Sequence, residues 1–517
     1  MSAQVSNIPD LVRIGAIKDD TLVEVETDIL EPVVQSQTFC RFALDRKGLL
    51  SSNSKITLGL TDPGVGSFYS LNNGVNSLIS RCVLKANNKT IAECDSWNHM
   101  AAYNSIFIHN EQNLERESVL TARTINHGFE YGEDDAAATR GQDPFNVSTD
   151  GVAGADRWSQ NQSAKYGWCN THEPTLTGVT DYRVDPWANA LRSPVFQISL
   201  SDLFPFLKTN QLPLFMMKDQ LFIELHFSPA NNNKADRLCM DNTSANPATV
   251  NIDPLQTKLI CDYLYYPQEM MEQYQQVNAN LSFQYVDYRL SEMSVDPTSA
   301  KNLIRNVGGA GRIVSKIIQA VQNLDVGEAV AGDAKCLTGP YHAIASQNES
   351  GNAPDGSGGV GSVVGATGGW LNANVRANND FLYPIDIDNS ARLFHTITST
   401  EGKVPFVSRD EYNRQGGAMT SRNIEGIVQS GNITVRQTQG LQGHFFYQAF
   451  KMKPERIDGR GIEVYMKYLS NHINTANPNL TEREGLAPST LGYTHRVWVE
   501  LVKYMTLRDG FVEIGYV

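Results

Sequence analysis

Leu221-Phe222-Ile223-Glu224-Leu225-His226-Phe227 alternates strongly apolar residues with residues that tolerate water. A period of two places Leu221, Ile223, Leu225 and Phe227 on one side of an extended chain, and Phe222, Glu224 and His226 on the other. This is the signature of a β-strand with one face in a core. The same reading applies upstream to Ile56, Leu58 and Leu60 against Thr57, Gly59 and Thr61. Downstream it applies to Ile462, Val464, Met466 and Tyr468 against Glu463, Tyr465 and Lys467. Further strands are predicted over 38–44, 78–85, 195–200, 258–266, 283–289, 432–437, 444–450 and 496–505, where β-branched and aromatic residues are frequent. Turn formers separate them, among them Asn87-Asn88, Asp62-Pro63-Gly64 and Asp509-Gly510.

Helix signals are few. Trp97, Met100, Ala101, Phe107 and Ile108 have helical spacing after Asp95-Ser96, which can cap a helix. Pro267 is placed to open a short helix over 268–277. That helix lies near mid-chain and divides the expected architecture into an N-terminal unit 1–266 and a C-terminal unit 281–517, with 267–280 as linker. Long loops are expected at about 126–193, which is polar and rich in Asp and Asn, and at about 325–379, which has a Gly-rich core from Gly351 to Gly369. The pattern implies two all-β sandwiches in tandem, each of roughly eight strands. Alternation leaves the jelly roll and other antiparallel sandwiches open.

The 517 residues include 41% hydrophobic and 19% charged positions, enough apolar material for large cores and unlike a disordered chain. A formal net charge of -13 disfavours neutralisation of phosphates, and 1–12 contain neither Lys nor Arg, so no sequence-specific nucleic-acid binding is expected. Cys40, Cys82, Cys94, Cys169, Cys239, Cys261 and Cys336 form no CxxC pair and no zinc spacing. Their odd number, without a charged and then apolar leader at the N-terminus, predicts reduced thiols in a cytosolic compartment. No apolar run approaches the ~20 residues of a membrane span, so no transmembrane segment is expected.

Motifs with chemical potential are weak. Gly356-Ser357-Gly358-Gly359-Val360-Gly361 spells a dinucleotide fingerprint, but it lies within glycine-rich sequence and no helix signal follows to meet a pyrophosphate. Gly308-Gly309-Ala310-Gly311-Arg312 lacks the Lys-Ser or Lys-Thr of a P-loop and reads as a turn. Asp386 and Asp388 form a D-x-D pair, and Glu133-Asp134-Asp135 an acidic run. Hard cations take such oxygens, but two or three carboxylates at the surface are ordinarily solvated. The ten histidines show no H-x-H or H-E-x-x-H, and no G-x-S-x-G occurs. Tyr263, Tyr265, Tyr266, Phe445, Phe446 and Tyr447 could stack on sugars, though packing is the commoner use of such residues. No catalytic, cofactor-binding or metal residues are therefore assigned, and no cofactor is expected.

The order of several segments resembles the double jelly-roll major capsid proteins, above all those of polinton-like viruses, and more distantly those of virophages and large DNA viruses of eukaryotes. Ser193-Pro194-Val195-Phe196 through Leu203-Phe204-Pro205-Phe206, then Leu212-Pro213-Leu214 and 221–227, is similar to the middle of their first jelly roll. The stretch 257–277 is similar to the exit strand and linker helix. Phe42-Ala43-Leu44-Asp45-Arg46-Lys47-Gly48 with Asn53-Ser54-Lys55, Lys89-Thr90-Ile91-Ala92-Glu93 through Trp97-Asn98-His99, Asn306 to Arg312, and Tyr493-Thr494-His495-Arg496-Val497-Trp498 extend the likeness over nearly the whole chain. The resemblance implies two tandem eight-stranded antiparallel jelly-roll sandwiches with few short helices and long loop insertions. It also implies a non-enzymatic homotrimer of pseudo-hexagonal outline that tiles the icosahedral shell of a double-stranded DNA virus. Implied partners are neighbouring capsomers, penton proteins and minor capsid or cement proteins, and the implied location is the virion, assembled inside the infected cell. Two other readings are a β-sandwich carbohydrate-binding or attachment protein, which needs an exposed aromatic platform, and a cupin-type enzyme, which needs a clustered His/Glu metal set.

Overall fold

In a computed structural model, the described residues are 23–60, 74–105, 195–208, 210–227, 252–295, 302–323, 368–387, 390–403, 447–470 and 493–517. Short pieces at 67–68, 107, 116, 120–121, 240–241, 424–429, 432–436 and 483–484 are also described. The principal strands, in chain order, are β1 (Glu24–Leu30), β2 (Phe39–Ala43), β3 (Lys55–Leu60), β4 (Ile79–Ala86), β5 (Lys89–Asp95), β6 (Val195–Ser199), β7 (Leu221–Phe227) and β8 (Ile252–Tyr265). They continue as β9 (Asn280–Val295), β10 (Asn302–Gly308), β11 (Val314–Asn323), β12 (Gly368–Ala377), β13 (Asp380–Phe381), β14 (Tyr447–Lys451), β15 (Ile462–Ser470), β16 (Tyr493–Arg508) and β17 (Phe511–Tyr516). Helices α1 (Trp97–Ser105), α2 (Gln268–Val277) and α3 (Ser390–Glu401) follow β5, β8 and β13.

Among the described residues the pairing is antiparallel, and beside two small two-stranded sheets it falls into two sets of sheets. In the first set, β1-β8-β3-β6 faces β2-β7-β4-β5; in the second, β9-β16-β11-β14 faces β10-β15-β12-β13. Strand n of the first set therefore occupies the place of strand n+8 in the second, and α1 and α3 hold matching positions in the order. This is two jelly rolls in tandem, and it selects among the sandwiches that alternation left open.

Alternation in the sequence becomes burial in the fold. Leu221, Ile223, Leu225 and Phe227 of β7 are buried, as are Ile56 and Leu58 of β3 and Ile462, Val464 and Met466 of β15. Glu224 departs from the outward-and-wet reading: it lies on the outer face of β7 and is nevertheless buried. Arg41 on β2 and Lys85 on β4, the residues directly across from or beside it, cover both its oxygens at 2.5 and 2.6 Å. The Asn87-Asn88 and Asp509-Gly510 turns form as predicted, with Asn87 and Asp509 at φ 50° and 52°. The Gly308 to Arg312 segment is a turn into β11, with Gly308, Gly309 and Gly311 at positive φ.

Three features differ from the sequence reading. The long loop expected at about 325–379 ends early, because β12 begins at Gly368. Its inward residues Ala373 and Val375 are buried, but a register shift between Trp370 and Asn372 interrupts the alternation, so the glycine-rich lead-in reads as loop. Helix α3 is unpredicted: Thr396, Thr398 and Thr400 lower helix propensity, and the fold compensates through Thr396 Oγ1 to the Arg392 carbonyl (2.8 Å) and Thr400 Oγ1 to the Thr396 carbonyl (2.7 Å). Strand β1 was also missed, since Val25 and Ile29 lie exposed rather than in a core. The 126–193 loop, the Asp62-Pro63-Gly64 turn and 351–367 lie outside the described residues.

Ile317 on β11 is fully buried, whereas Ile304 on β10 is exposed. Ile317→Ala is expected to cost about 2–5 kcal/mol by lost transfer energy and cavity formation, and Ile304→Ala to stay within about 0.5 kcal/mol. Urea denaturation of the two variants checks the contrast.

Candidate functional site

The residues nominated by sequence scatter. Asp386 is exposed and accepts a hydrogen bond from Asn374 Nδ2 at 2.8 Å; Asp388, Glu133 to Asp135 and the Gly356 to Gly361 motif lie outside the described residues. Tyr263 is fully buried, so it belongs to the core rather than to a sugar platform, and Tyr265 and Tyr266 are half-buried. Among the described residues, no three of His, Cys, Asp and Glu gather to hold a metal ion. Cys40, Cys82, Cys94 and Cys261 are buried free thiols. Burial pushes Cys40 and Cys261 up to about 12, so both are protonated and poorly nucleophilic at neutral pH. No helix among the described residues is long and apolar enough to cross a membrane.

The concentrated chemistry lies instead where the two jelly rolls meet. Strand β5 is the edge of its sheet, and the second jelly roll covers that edge with side chains. The Glu93 N–H donates to Asp287 Oδ1 (2.9 Å), Tyr285 OH donates to the Ile91 carbonyl (2.6 Å), and Trp498 Nε1 donates to the Asp95 carbonyl (2.9 Å). Lys89 Nζ reaches the Val512 carbonyl at 2.5 Å, and the Val512 N–H donates to Asp219 Oδ2 at 2.8 Å. The aromatic ring of Phe206 stacks on Phe283 and tilts against Tyr285, with centroids 6.5 and 5.2 Å apart. Apolar contact and backbone satisfaction thus act together across the seam.

Asp287 is the pivotal carboxylate. It pairs with the buried Lys503 on β16 while accepting the Glu93 N–H. Burial raises its pKa from 3.8 to about 6, with Lys503 opposing the shift. A second tie joins α1 to the other roll: Tyr103 OH donates to Glu401 Oε1 (2.6 Å), and Lys316 Nζ contacts Glu401 (2.8 Å) and Glu500 (3.3 Å). Inside the second roll, Arg305 NH1 meets His495 Nδ1 (3.4 Å) and the His495 carbonyl (2.9 Å), and His495 Nε2 lies 3.1 Å from Gln319 Oε1. Burial, then the Arg305 charge, lowers the His495 pKa from 6.5 to about 3.

Sequence reading missed these residues. A signal existed for two of them: Asp287 and Lys503 interrupt otherwise apolar or aromatic strands at Tyr285-Val286-Asp287-Tyr288 and Leu501-Val502-Lys503-Tyr504. Their partnership, across 216 positions of sequence, needed the fold.

The fold is that of the double jelly-roll capsid proteins. Among solved structures, a chain in the cryo-EM structure of the Sputnik virophage superposes with a TM-score of 0.54 at 11% identity, covering 95% of this chain and 88% of that one. The PBCV-1 virus capsid in a quasi-atomic model gives 0.47 at 11% identity (96% and 97% covered), and the mavirus major capsid protein 0.41 at 10% (95% and 90%). The likeness of fold rests on the Sputnik superposition. No protein-family model matches the sequence, and a search of curated proteins finds no match.

The buried groups predict opposite pH dependences. The folded His495 resists protonation, so its contribution is complete above pH 6.5 and is lost towards pH 3, at up to about 1.4 kcal/mol per pH unit. The folded Asp287 takes its proton more readily than the unfolded chain does, so stability rises as pH falls from 6 towards 3.8. Relative to the unsubstituted protein, His495→Gln is expected to gain stability between pH 6.5 and 4, and Asp287→Asn to lose it. Urea titrations at half-unit pH steps measure both.

Proposed function

We propose that this chain is a structural protein of the virion: the major capsid protein of an icosahedral double-stranded DNA virus. In this reading the chain divides into an N-terminal jelly roll at 1–266, a linker at 267–280 and a C-terminal jelly roll at 281–517. Three copies form a trimer whose six jelly rolls give a pseudo-hexagonal outline, and such trimers tile the shell inside the infected cell. Neighbouring capsomers, penton proteins and minor capsid or cement proteins are its partners.

The observation that carries the reading is the pair of jelly rolls joined by a buried, hydrogen-bonded seam. A shell subunit needs stiff walls with large lateral surfaces more than it needs a pocket. Interdigitated sheets supply stiffness, and the seam presents two rolls as a single building block. The likeness of fold to a chain of the Sputnik virophage, over 95% of the length, supports the same reading. A net charge of -13 suits a subunit that must stay soluble before assembly, and it assigns DNA contact to counterions or another protein. No catalytic role is assigned to any residue.

Light scattering coupled to size exclusion tests the assembly. The expected mass is three times 57.2 kDa, about 172 kDa, with hexagonal outlines in electron micrographs. A stable 57.2 kDa monomer that forms neither trimers nor shells would sink the proposal.

A further inference from the structure

The core of the second jelly roll carries a polar row. Ser291 on β9 lies opposite Val497 on β16, Val497 opposite Gln319 on β11, and Gln319 opposite Gln448 on β14, so the row crosses all four strands of the sheet. Gln319 and Gln448 are fully buried, as is His495, two residues from Val497 and therefore on the same side of β16. Two positions along, the same β11–β14 pairing joins the fully buried Ile317 and Phe450. The fold does not demand the polar pair. Its counterpart in the first roll, the β3–β6 pairing, is apolar at both buried positions: Ile56 with Ile198 and Leu58 with Phe196.

The hydrogen bonds along the row run in one direction. Arg305, reaching across from β10 in the facing sheet, can donate but never accept. It donates through NH2 to Ser291 Oγ (2.5 Å), and through NH1 to the His495 carbonyl (2.9 Å) and His495 Nδ1 (3.4 Å). Burial and the Arg305 charge keep His495 neutral. Its Nδ1 is therefore the bare nitrogen, and Nε2 carries the proton donated to Gln319 Oε1 at 3.1 Å. The Gln319 amide nitrogen is left to face Gln448, whose Oε1 accepts from it. Each bond fixes the next, so neither amide can turn round without breaking its neighbour's bond. The chain ends on Gln448 Nε2, a buried donor with no acceptor among the described residues. Such a donor forfeits its hydration without return, and it calls for a bound water or ion.

We infer that Gln448 Nε2 heads a binding site for a small monatomic anion of the halide class inside the second jelly roll. The chain of bonds carries one formal charge, the Arg305 cation. From His495 onward every donor points away from Arg305, and aligned bonds polarise one another, so positive character reaches the Gln448 end. N–H donors in positive potential suit a species that only accepts. A water molecule brings two protons that need acceptors of their own, and Gln448 Oε1 is already engaged by Gln319. A bound halide ties β14, the outermost strand of its sheet, to the row that crosses the other three.

Bromide is the probe, because its anomalous scattering locates it. Crystals of the full chain soaked in sodium bromide are expected to show an anomalous peak within hydrogen-bond reach of Gln448 Nε2. A water in that place, or no density there, overturns the inference. Urea unfolding in sodium bromide and in sodium gluconate, at equal ionic strength, gives the solution test. The unfolding constant of the unsubstituted protein should fall by up to about tenfold for each tenfold rise in bromide above its Kd, and gluconate should have no such effect. Gln448→Met removes the donor at nearly constant volume, and the difference between the two salts should vanish with it. Equal responses of the unsubstituted protein to both salts overturn the inference, as does a bromide dependence that survives in Gln448→Met. If Gln448→Met does not fold, the crystal and the two-salt comparison still decide, since both use the unsubstituted protein.

Discussion

A sheet edge carries a row of backbone donors and acceptors that must find partners, and in this protein the second jelly roll supplies them as side chains. Along β5, Glu93 donates its N–H to Asp287, while the Ile91 and Asp95 carbonyls accept from Tyr285 OH and Trp498 Nε1. The relation of the two rolls depends on this edge being capped. If another strand had paired with β5, the sheet would have grown and the second roll would have had no seat. Because polar side chains make the contact, position is specified as well as stabilised: each bond has a direction, and Asp287 must meet both Lys503 and the Glu93 N–H at once.

The seam places charge in an interior that ordinarily rejects it. An unpaired buried carboxylate or ammonium would be prohibitively costly, but Asp287 and Lys503 desolvate together. Lys316 follows the same rule: burial opposes its charge, yet Glu500 and Glu401 hold its pKa above the ordinary value. Tyr103 from the first roll completes that group through Glu401. Such pairs contribute less to net stability than apolar packing of similar volume. A misdocked arrangement of the two sandwiches would leave one of these charges buried alone, which is strongly destabilising.

Much of this was legible in the order of residues. Period-two alternation in Leu221 to Phe227 and Ile462 to Tyr468 determined the strands and their inward faces, because side-chain direction in an extended chain depends only on position parity. Turn chemistry at Asn87-Asn88 and Asp509-Gly510 and the Pro267 start of α2 were equally local. Helix α3 and strand β12 escaped because local preference and tertiary need disagree there: threonines are held helical by their own side-chain bonds, and a register shift breaks the alternation of β12. The seam was decided by tertiary structure alone. Asp287, Lys503 and Glu93 are ordinary surface residue types in the sequence, and only contacts across 194 and 216 positions bring them together and remove water. Burial and partnership are properties of the folded neighbourhood, and no local pattern encodes them.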